Sequence, residues 1–504
     1  MAYGRKCFSF RPLTDKFLHL TFLPSTGIDV LLPSLRSSIY QLPARTLPLI
    51  KSISGFRGTI GGRPGDNLTP QDIVECTAAF GQWILNTSGK PTIVVGRDGR
   101  ISGEIVSGLV INTLRSMGIT VIDLGLSTTP TVEIAVPIEN AGGGIVLTAS
   151  HNPREWNALK LLNQRGEFIS GKDGEAVMAL VEKGDIQYAT VDKLGAYRAD
   201  DTYIQKHIDR ILALPMVNIE AIRAKKYRIV VDVINSTGAL AVPPLLEALG
   251  CQCILLNGEV NGHFAHNPEP LKEHLGQLST EVRQQRAQLG IAVDPDVDRL
   301  VFMCENGELF GEEYTLVAVA DYVLSKKPGN TVSNLSSTRA LRDTTAKHGG
   351  EYYAAAVGEV NVVEKMKAVN AVIGGEGNGG VILPDLHYGR DALVGIALFL
   401  SHLAAFGKQI STLRQTYPDY QMSKTKLDRT ADIDLEKIFA ALRQKYRKEQ
   451  INTEDGLKID FESGWVHLRP SNTEPIIRVY SESNSIVVAE NLAKKIIQDI
   501  QAFR

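Results

Sequence analysis

One arrangement recurs along this chain and restricts its fold more than any other feature: a short apolar strand, a polar loop, a helix closed by glycine, and a second strand. PTIVVGRDGRISG leads into a helical stretch to Arg115, then to Gly118 and ITVIDLG. YRIVVDVINSTGA leads in the same way to Leu249, Gly250 and CQCILLNG. NTVSNLSSTRA leads more weakly to Gly349, Gly350 and EYYAAAVGE. Parallel strands cannot be joined by a hairpin and need a crossover, so each copy predicts a βαβ unit. Three copies predict three related α/β domains with mixed, largely parallel sheets. The tail reads differently: a polar helix from about Leu435 to Glu449, the strand WVHLRP, the loop SNTEP, the strand IIRVYSE, and an amphipathic helix from Val487. That order predicts a smaller C-terminal α+β domain. The expected divisions are 48–197, 198–302, 303–415 and 416–504, after an N-terminal extension, 1–47, that stands outside the fold.

A chain of 504 residues with 43% hydrophobic and 22% charged residues has the material for packed cores. Its 54 Lys and Arg nearly cancel its 56 Asp and Glu, so no global field gathers nucleic acid or an anionic membrane. Neither partner is expected. The longest apolar stretch, Ala392 to Phe406, is short for a bilayer and contains Ser401 and His402, which predicts a buried helix. Five cysteines are too few for a disulfide framework and fit a reducing compartment, so the cytoplasm is the expected location. Cys251 and Cys253 alternate in a strand without a second Cys or His pair, and are expected in the core rather than on zinc. The first 47 residues are basic and acid-poor, with no sustained period, and read as an upstream extension rather than a targeting signal.

Four loops carry chemistry. In GGGIVLTASHNP an apolar strand ends at Ser150 and His151, where open α/β sheets place ligands, so Ser150 is a candidate nucleophile or phosphate carrier. In IAVDPDVDRLVF, Asp294, Asp296 and Asp298 lie within five residues at a strand end, and carboxylates that close repel unless a cation shares them. An EF-hand does not fit, because its sixth position would be Arg299 rather than glycine. Arg299 instead suits an anion beside the metal. In GGEGNGG the glycines let backbone approach a ligand, while Glu376 and Asn378 suit neighbouring sugar hydroxyls. In RPSNTEPIIR, Arg469, Ser471, Asn472 and Thr473 offer a guanidinium, hydroxyls and turn amides, as an anion nest requires.

In this order the four loops resemble those of the α-D-phosphohexomutase family, from about Leu49 to the C-terminus. TASHNP is similar to the family's phosphoserine loop, DPDVDR to its magnesium loop, GEGNGG to its sugar loop and RPSNTEP to its phosphate loop. SISGFRG resembles an active-site arginine segment and places Arg57, and HNPREWNALK places Lys160 at an active-site lysine. The resemblance implies four domains around one central cleft, each contributing one loop. It implies a phosphoryl group carried by Ser150 and one Mg²⁺ per chain, held by Asp294, Asp296, Asp298 and an oxygen at Ser150. It further implies transfer between O6 and O1 of a hexose phosphate through a hexose 1,6-bisphosphate. Glu376 and Asn378 would hold the sugar, Arg299, Arg469, Ser471, Asn472, Thr473 and Arg478 would hold phosphate, and Lys160, Arg57 and His151 would serve the proton transfers.

Three positions depart from the family pattern. Val297 stands where the metal loop usually has glycine, so the loop is expected to avoid positive φ there. Asn378 replaces the usual serine, and Gly380 sits where some members have a histidine, which moves proton transfer toward Lys160. VGEVNVVEKM resembles the phosphoglucosamine mutase branch and makes glucosamine phosphate the expected substrate, with the phosphomannomutase/phosphoglucomutase branch as the alternative. A metal-dependent sugar phosphatase and a non-catalytic sugar-phosphate binder are the more distant alternatives, and a monomer or homodimer is the expected assembly.

Overall fold

The computed structural model describes residues 49–52, 55–428, 434–470 and 476–503. The expectation for residues 1–47 lies outside the described residues.

The first three sheets repeat one topology. In the first, Thr92–Arg97 runs parallel to both Thr120–Leu126 and Gly143–Leu147, and Gly143–Leu147 turns back antiparallel as Trp156–Leu162. In the second, Arg228–Asp232 runs parallel to Gln252–Leu256 and Leu289–Val293, which turns back as Leu300–Cys304. In the third, Asn330–Asn334 runs parallel to Tyr352–Ala355 and Ala371–Glu376, which turns back as Gly380–Ile382. The first sheet adds Gly55–Thr59, Ile50–Ser52 and Tyr197–Ala199 at its edges, for seven strands. Every residue of Gly143–Leu147 and of Leu289–Val293 is buried, which is why these strands read as unbroken apolar runs.

This repeat fixes where chemistry falls. Each of the three turns between the last parallel strand and its antiparallel return is one of the sequence-marked loops: 148–155, 294–299 and 377–379. The glycines that close the three crossover helices, Gly118, Gly250 and Gly349, have φ of +81°, +73° and +74°, a conformation that costs a side-chain-bearing residue energy and ends the helix.

The C-terminal sheet has five antiparallel strands in the order Gln421–Asp428, Ile476–Ser483, Gly464–Pro470, Leu457–Phe461, Gln450–Asn452. The helices Leu435–Lys445 and Ile486–Ala502 cover it. The expected cuts at 197/198 and 302/303 fall inside the strands Tyr197–Ala199 and Leu300–Cys304. A strand is hydrogen-bonded as a unit, whereas composition changes only beyond its end.

The second and third sheets share one core. Helix Ala392–Phe406 runs through it, with Phe399 stacked on Phe302 at 3.7 Å between ring centres. The stretch is therefore a buried helix, and among the described residues no helix is long and apolar enough to cross a membrane. Cys251 and Cys253 both pack into the same core as free thiols.

Val297 contradicts its expectation: φ is +62°. The side chain is fully buried, its N–H donates to Asp294 O at 3.1 Å, and its carbonyl accepts from Ala392 N at 3.1 Å. Burial and two tethers outweigh a strain of about 1–3 kcal/mol for a β-branched residue in the left-handed region.

Candidate active site

Ser150 also sits at positive φ, +49°, and its Oγ donates to Asp294 Oδ2 at 2.7 Å. The loop is framed by Arg100, whose guanidinium donates to the carbonyls of Ser150, Asn152, Pro153 and Trp156 at 2.6–2.9 Å and to Asp98 at 3.0 Å. Four carbonyls aimed at one cation hold a strained turn that would otherwise relax. Arg57 Nη1 donates to Asn152 Oδ1 at 3.2 Å, and His151 Nδ1 lies 3.4 Å from Ser150 Oγ. Burial, then Arg299 and Arg57, hold the His151 imidazole well below its ordinary pKa and therefore neutral.

The acidic loop 294–299 faces Ser150. Asp294 Oδ1 accepts the backbone N–H groups of Asp298 and Arg299, both at 3.1 Å. Asp296 Oδ2 accepts from Thr129 Oγ1 at 2.6 Å and from Lys160 Nζ at 2.7 Å. Lys160 Nζ also lies 3.3 Å from Asp298 Oδ2. Asp296 Oδ1 and Asp298 Oδ1 are buried without a hydrogen-bond partner, and one oxygen from each of the three aspartates lies within 4.8 Å of the others. Burial, followed by Asp298 and Asp296, pushes the Asp294 carboxyl well above its usual range, a strain that a shared cation relieves. Converging carboxylate oxygens are what a hard divalent metal takes, so this loop is able to hold one. Burial alone would lower the Lys160 pKa, but Asp296 and Asp298 outweigh it and hold the ammonium charged.

A cavity of about 230 Å³ brings the loops together, lined among others by His151, Arg299, Glu376, Asn378, Arg469 and Arg478. Arg299 Nη1 reaches Glu269 at 3.3 Å, and Arg469 Nε lies 2.9 Å from Asp455 Oδ2. Arg478 Nη1 contacts the Tyr480 hydroxyl at 3.3 Å. Ser471, Asn472 and Thr473 lie outside the described residues. The C-terminal sheet docks on the third through Val357 N to Asp455 Oδ2 at 2.9 Å, Lys458 Nζ to Leu335 O at 2.8 Å and Ser336 Oγ to His467 Nδ1 at 2.9 Å.

Arg390 carries no sequence signal and proves central. Buried among three carboxylates, it puts Nη2 2.7 Å from Asp298, Nη1 2.6 Å from Glu376 and Nε 3.1 Å from Glu359. One guanidinium thus ties the acidic loop at Asp298 to the glycine-rich loop at Glu376. It also explains Gly380, because a Cβ built there would lie 2.3 Å from Arg390 Cδ. The arginine stem fills the space a side chain at 380 would need. Glu376 is fixed from its other side by Asn334 Nδ2 at 2.8 Å and Gly358 N at 3.2 Å.

His467, also in the cavity wall, predicts a pH effect. Burial lowers its pKa from 6.5 to about 4. A histidine with a depressed folded pKa binds its proton more readily when unfolded, so stability is complete above about pH 6.5 and falls toward pH 4, by about 3 kcal/mol in total. The unfolding temperature is expected to fall from pH 7.5 to 5, and His467→Gln should remove part of that dependence, the buried His151 contributing in the same direction. An unchanged slope in the variant would place the acid sensitivity elsewhere.

Family models describing "Phosphoglucomutase/phosphomannomutase" match the chain in four successive parts: alpha/beta/alpha domain I at residues 50–187, domain II at 205–307, domain III at 311–420 and the C-terminal domain at 425–498. The chain is 38% identical over 436 residues to a phosphoglucomutase/phosphomannomutase of Thermococcus kodakarensis, covering 85% of this chain and 94% of the relative. It is 30% identical over 458 residues to a probable phosphoglucosamine mutase of the same organism, covering 88% and 99%. A crystal structure of a phosphoglucomutase/phosphomannomutase family protein from Burkholderia thailandensis superposes with a TM-score of 0.78 at 26% identity, covering 90% of this chain and 98% of that one.

Proposed function

The chain belongs to the phosphoglucomutase/phosphomannomutase family of mutase isomerases, and from that premise we propose that it moves phosphate between O6 and O1 of a hexose phosphate. The observation that carries this reading is the 2.7 Å bond from Ser150 Oγ to Asp294, which sets a strained serine against the acidic loop. Ser150 is the phosphate carrier. Its phosphoryl group passes to the free hydroxyl of the monophosphate: the bond from phosphorus to the sugar oxygen forms, the bond to Ser150 Oγ breaks, and the hydroxyl's proton ends on Ser150 Oγ. The bisphosphate then turns over, and its other phosphate returns to Ser150 Oγ.

Asp294, Asp296 and Asp298 would hold Mg²⁺, the unpartnered Oδ1 atoms of Asp296 and Asp298 being the natural donors. When bound, the ion offsets the charge that develops on the transferring phosphoryl oxygens. Lys160 crosses from the phosphoserine sheet to these aspartates, and its ammonium, paired with Asp296 and Asp298, is the candidate to relay the proton between the sugar hydroxyl and Ser150 Oγ. Arg57 and His151 orient the phosphoserine loop. Glu376, fixed by Arg390, and Asn378 accept sugar hydroxyls, Arg299 serves the phosphate beside the metal, and Arg469 and Arg478, with Ser471, Asn472 and Thr473, grip the phosphate that stays in place. For the domains we propose cuts after Ala199 and Cys304 and before Gln421, at the ends of the outermost strands. Cytoplasmic action follows from the same reading.

Two substrate readings rest on different observations. VGEVNVVEKM favours glucosamine phosphate. The two Thermococcus relatives favour a neutral hexose, because the chain is 38% identical to the phosphoglucomutase/phosphomannomutase and 30% to the probable phosphoglucosamine mutase of one organism. We take the second, since that comparison draws on most of the chain rather than one segment. Turnover of glucose-1-phosphate or mannose-1-phosphate is expected to exceed that of glucosamine-6-phosphate in kcat/KM. A preference of about tenfold or more for the amino sugar reverses the choice.

A further inference from the structure

We propose that the chain has a second metal site, for a transition metal such as zinc, formed by His207, His387 and Asp391 where the first three sheets meet. It is separate from the acidic loop and does not depend on the mutase reading.

The three side chains come from distant parts of the sequence. His207 lies on helix Tyr203–Leu212, and His387 and Asp391 flank the turn before helix Ala392–Phe406. His207 Nε2 and His387 Nε2 lie 2.9 and 3.2 Å from one atom, Asp391 Oδ2. Such spacings are close to the separation of roughly 3.3 Å between donors that each stand about 2.0–2.2 Å from one tetrahedral ion.

Two of the three ligands are also held at their far ends. His207 Nδ1 lies 3.0 Å from Thr131 Oγ1, whereas His387 Nδ1 stands 3.3 Å from Glu133 Oε2 at ion-pair distance without a hydrogen bond. Asp391 Oδ1 accepts the N–H groups of Leu393 and Val394 at 2.8 and 3.2 Å, capping the helix and leaving Oδ2 to face the rings. A partner on the second ring nitrogen fixes tautomer and orientation in metal-binding histidines. Gly389 makes room for this arrangement, since a Cβ there would lie 1.9 Å from Glu133 Oε2.

The Glu133 side chain is fully buried beside His387, and neither of its oxygens has a hydrogen-bond partner, so the junction holds polar atoms that the chain itself leaves unsatisfied. Imidazole donors select zinc and its neighbours rather than magnesium, and a water would complete four-coordination. The ion would fix the turn that carries Arg390, between its two proposed ligands His387 and Asp391.

Elemental analysis of the untagged, full-length protein after loading with Zn²⁺ and desalting into Mg²⁺ buffer should find about one zinc per chain. Replacement by Co²⁺ should give visible absorption of a low-coordinate site. 1,10-Phenanthroline should lower the unfolding temperature, and Zn²⁺ but not Mg²⁺ should restore it. His207→Asn and His387→Gln should each abolish zinc retention and the cobalt spectrum, and Glu133→Gln should weaken zinc affinity by about tenfold. Asp294→Asn should retain the zinc. If the wild-type chain keeps no zinc after loading, or if the zinc is lost in Asp294→Asn, the site is refuted, and the cluster is a hydrogen-bonded network only.

Discussion

Replacing Ser150 with alanine is expected to lower mutase turnover by at least about a thousandfold while leaving hexose-phosphate affinity within about threefold of wild type. The asymmetry follows from geometry. Ser150 Oγ faces Asp294, whereas the side chains proposed to grip the sugar and its fixed phosphate stand on the third and fourth sheets. Intact-protein mass should show about one phosphoryl group on the wild-type chain and none on the variant. Near-normal turnover in Ser150→Ala would falsify the carrier role. Sustained release of inorganic phosphate by the wild type without isomerisation would instead identify a phosphatase.

The second large effect concerns Arg390. Arg390→Lys keeps a positive charge but loses the planar fork, so it can satisfy one or two of Asp298, Glu376 and Glu359 rather than all three. Charge-assisted hydrogen bonds contribute about 1.5–3 kcal/mol each, so losing one or two is expected to lower kcat/KM by about a hundredfold. Because Glu376 and Asp298 serve different proposed ligands, both the KM for sugar phosphate and the Mg²⁺ concentration for half-activation should rise. A purely structural role would lower the unfolding temperature and leave both constants unchanged. Arg390→Ala is a poorer probe, since the buried Glu376 and Glu359 lose their paired cation, Asp298 keeps only Lys160, and folding itself is at risk. A kcat/KM within about threefold of wild type in a folded Arg390→Lys protein would remove Arg390 from the mechanism.

The three βαβ units, the glycine stops and all four loops were legible in the sequence because they are local. Strand burial writes an apolar run, a helix end writes a glycine, and a phosphate or metal loop writes its donors side by side. Short edge strands such as Tyr197–Ala199 and Gln450–Asn452 were not legible, since three residues pairing at a sheet edge need no distinctive pattern. Val297 misled because propensity alone forbids what a buried side chain and two backbone tethers enforce. Arg100 and Arg390 left no mark, because an arginine's acceptors lie on other segments. Arg390 reaches Asp298 across 92 positions of sequence.

What the sequence determined by itself is therefore the set of parts: repeated units of strand, helix and strand, each ending in a loop whose residues declare phosphate, metal or sugar chemistry. What only the tertiary structure decided is how the parts meet. Ser150 and Asp294 are 144 residues apart and touch because the same hairpin turn in two sheets faces one cleft. Arg390 could enter that cleft because position 380 has no side chain to fill it. The junction of His207, His387, Asp391 and Glu133 exists only where three sheets pack together. Backbone periodicity and turn chemistry are set within a few residues and can be read along the chain. Contacts between side chains on different sheets depend on how the layers pack, and no local pattern encodes that.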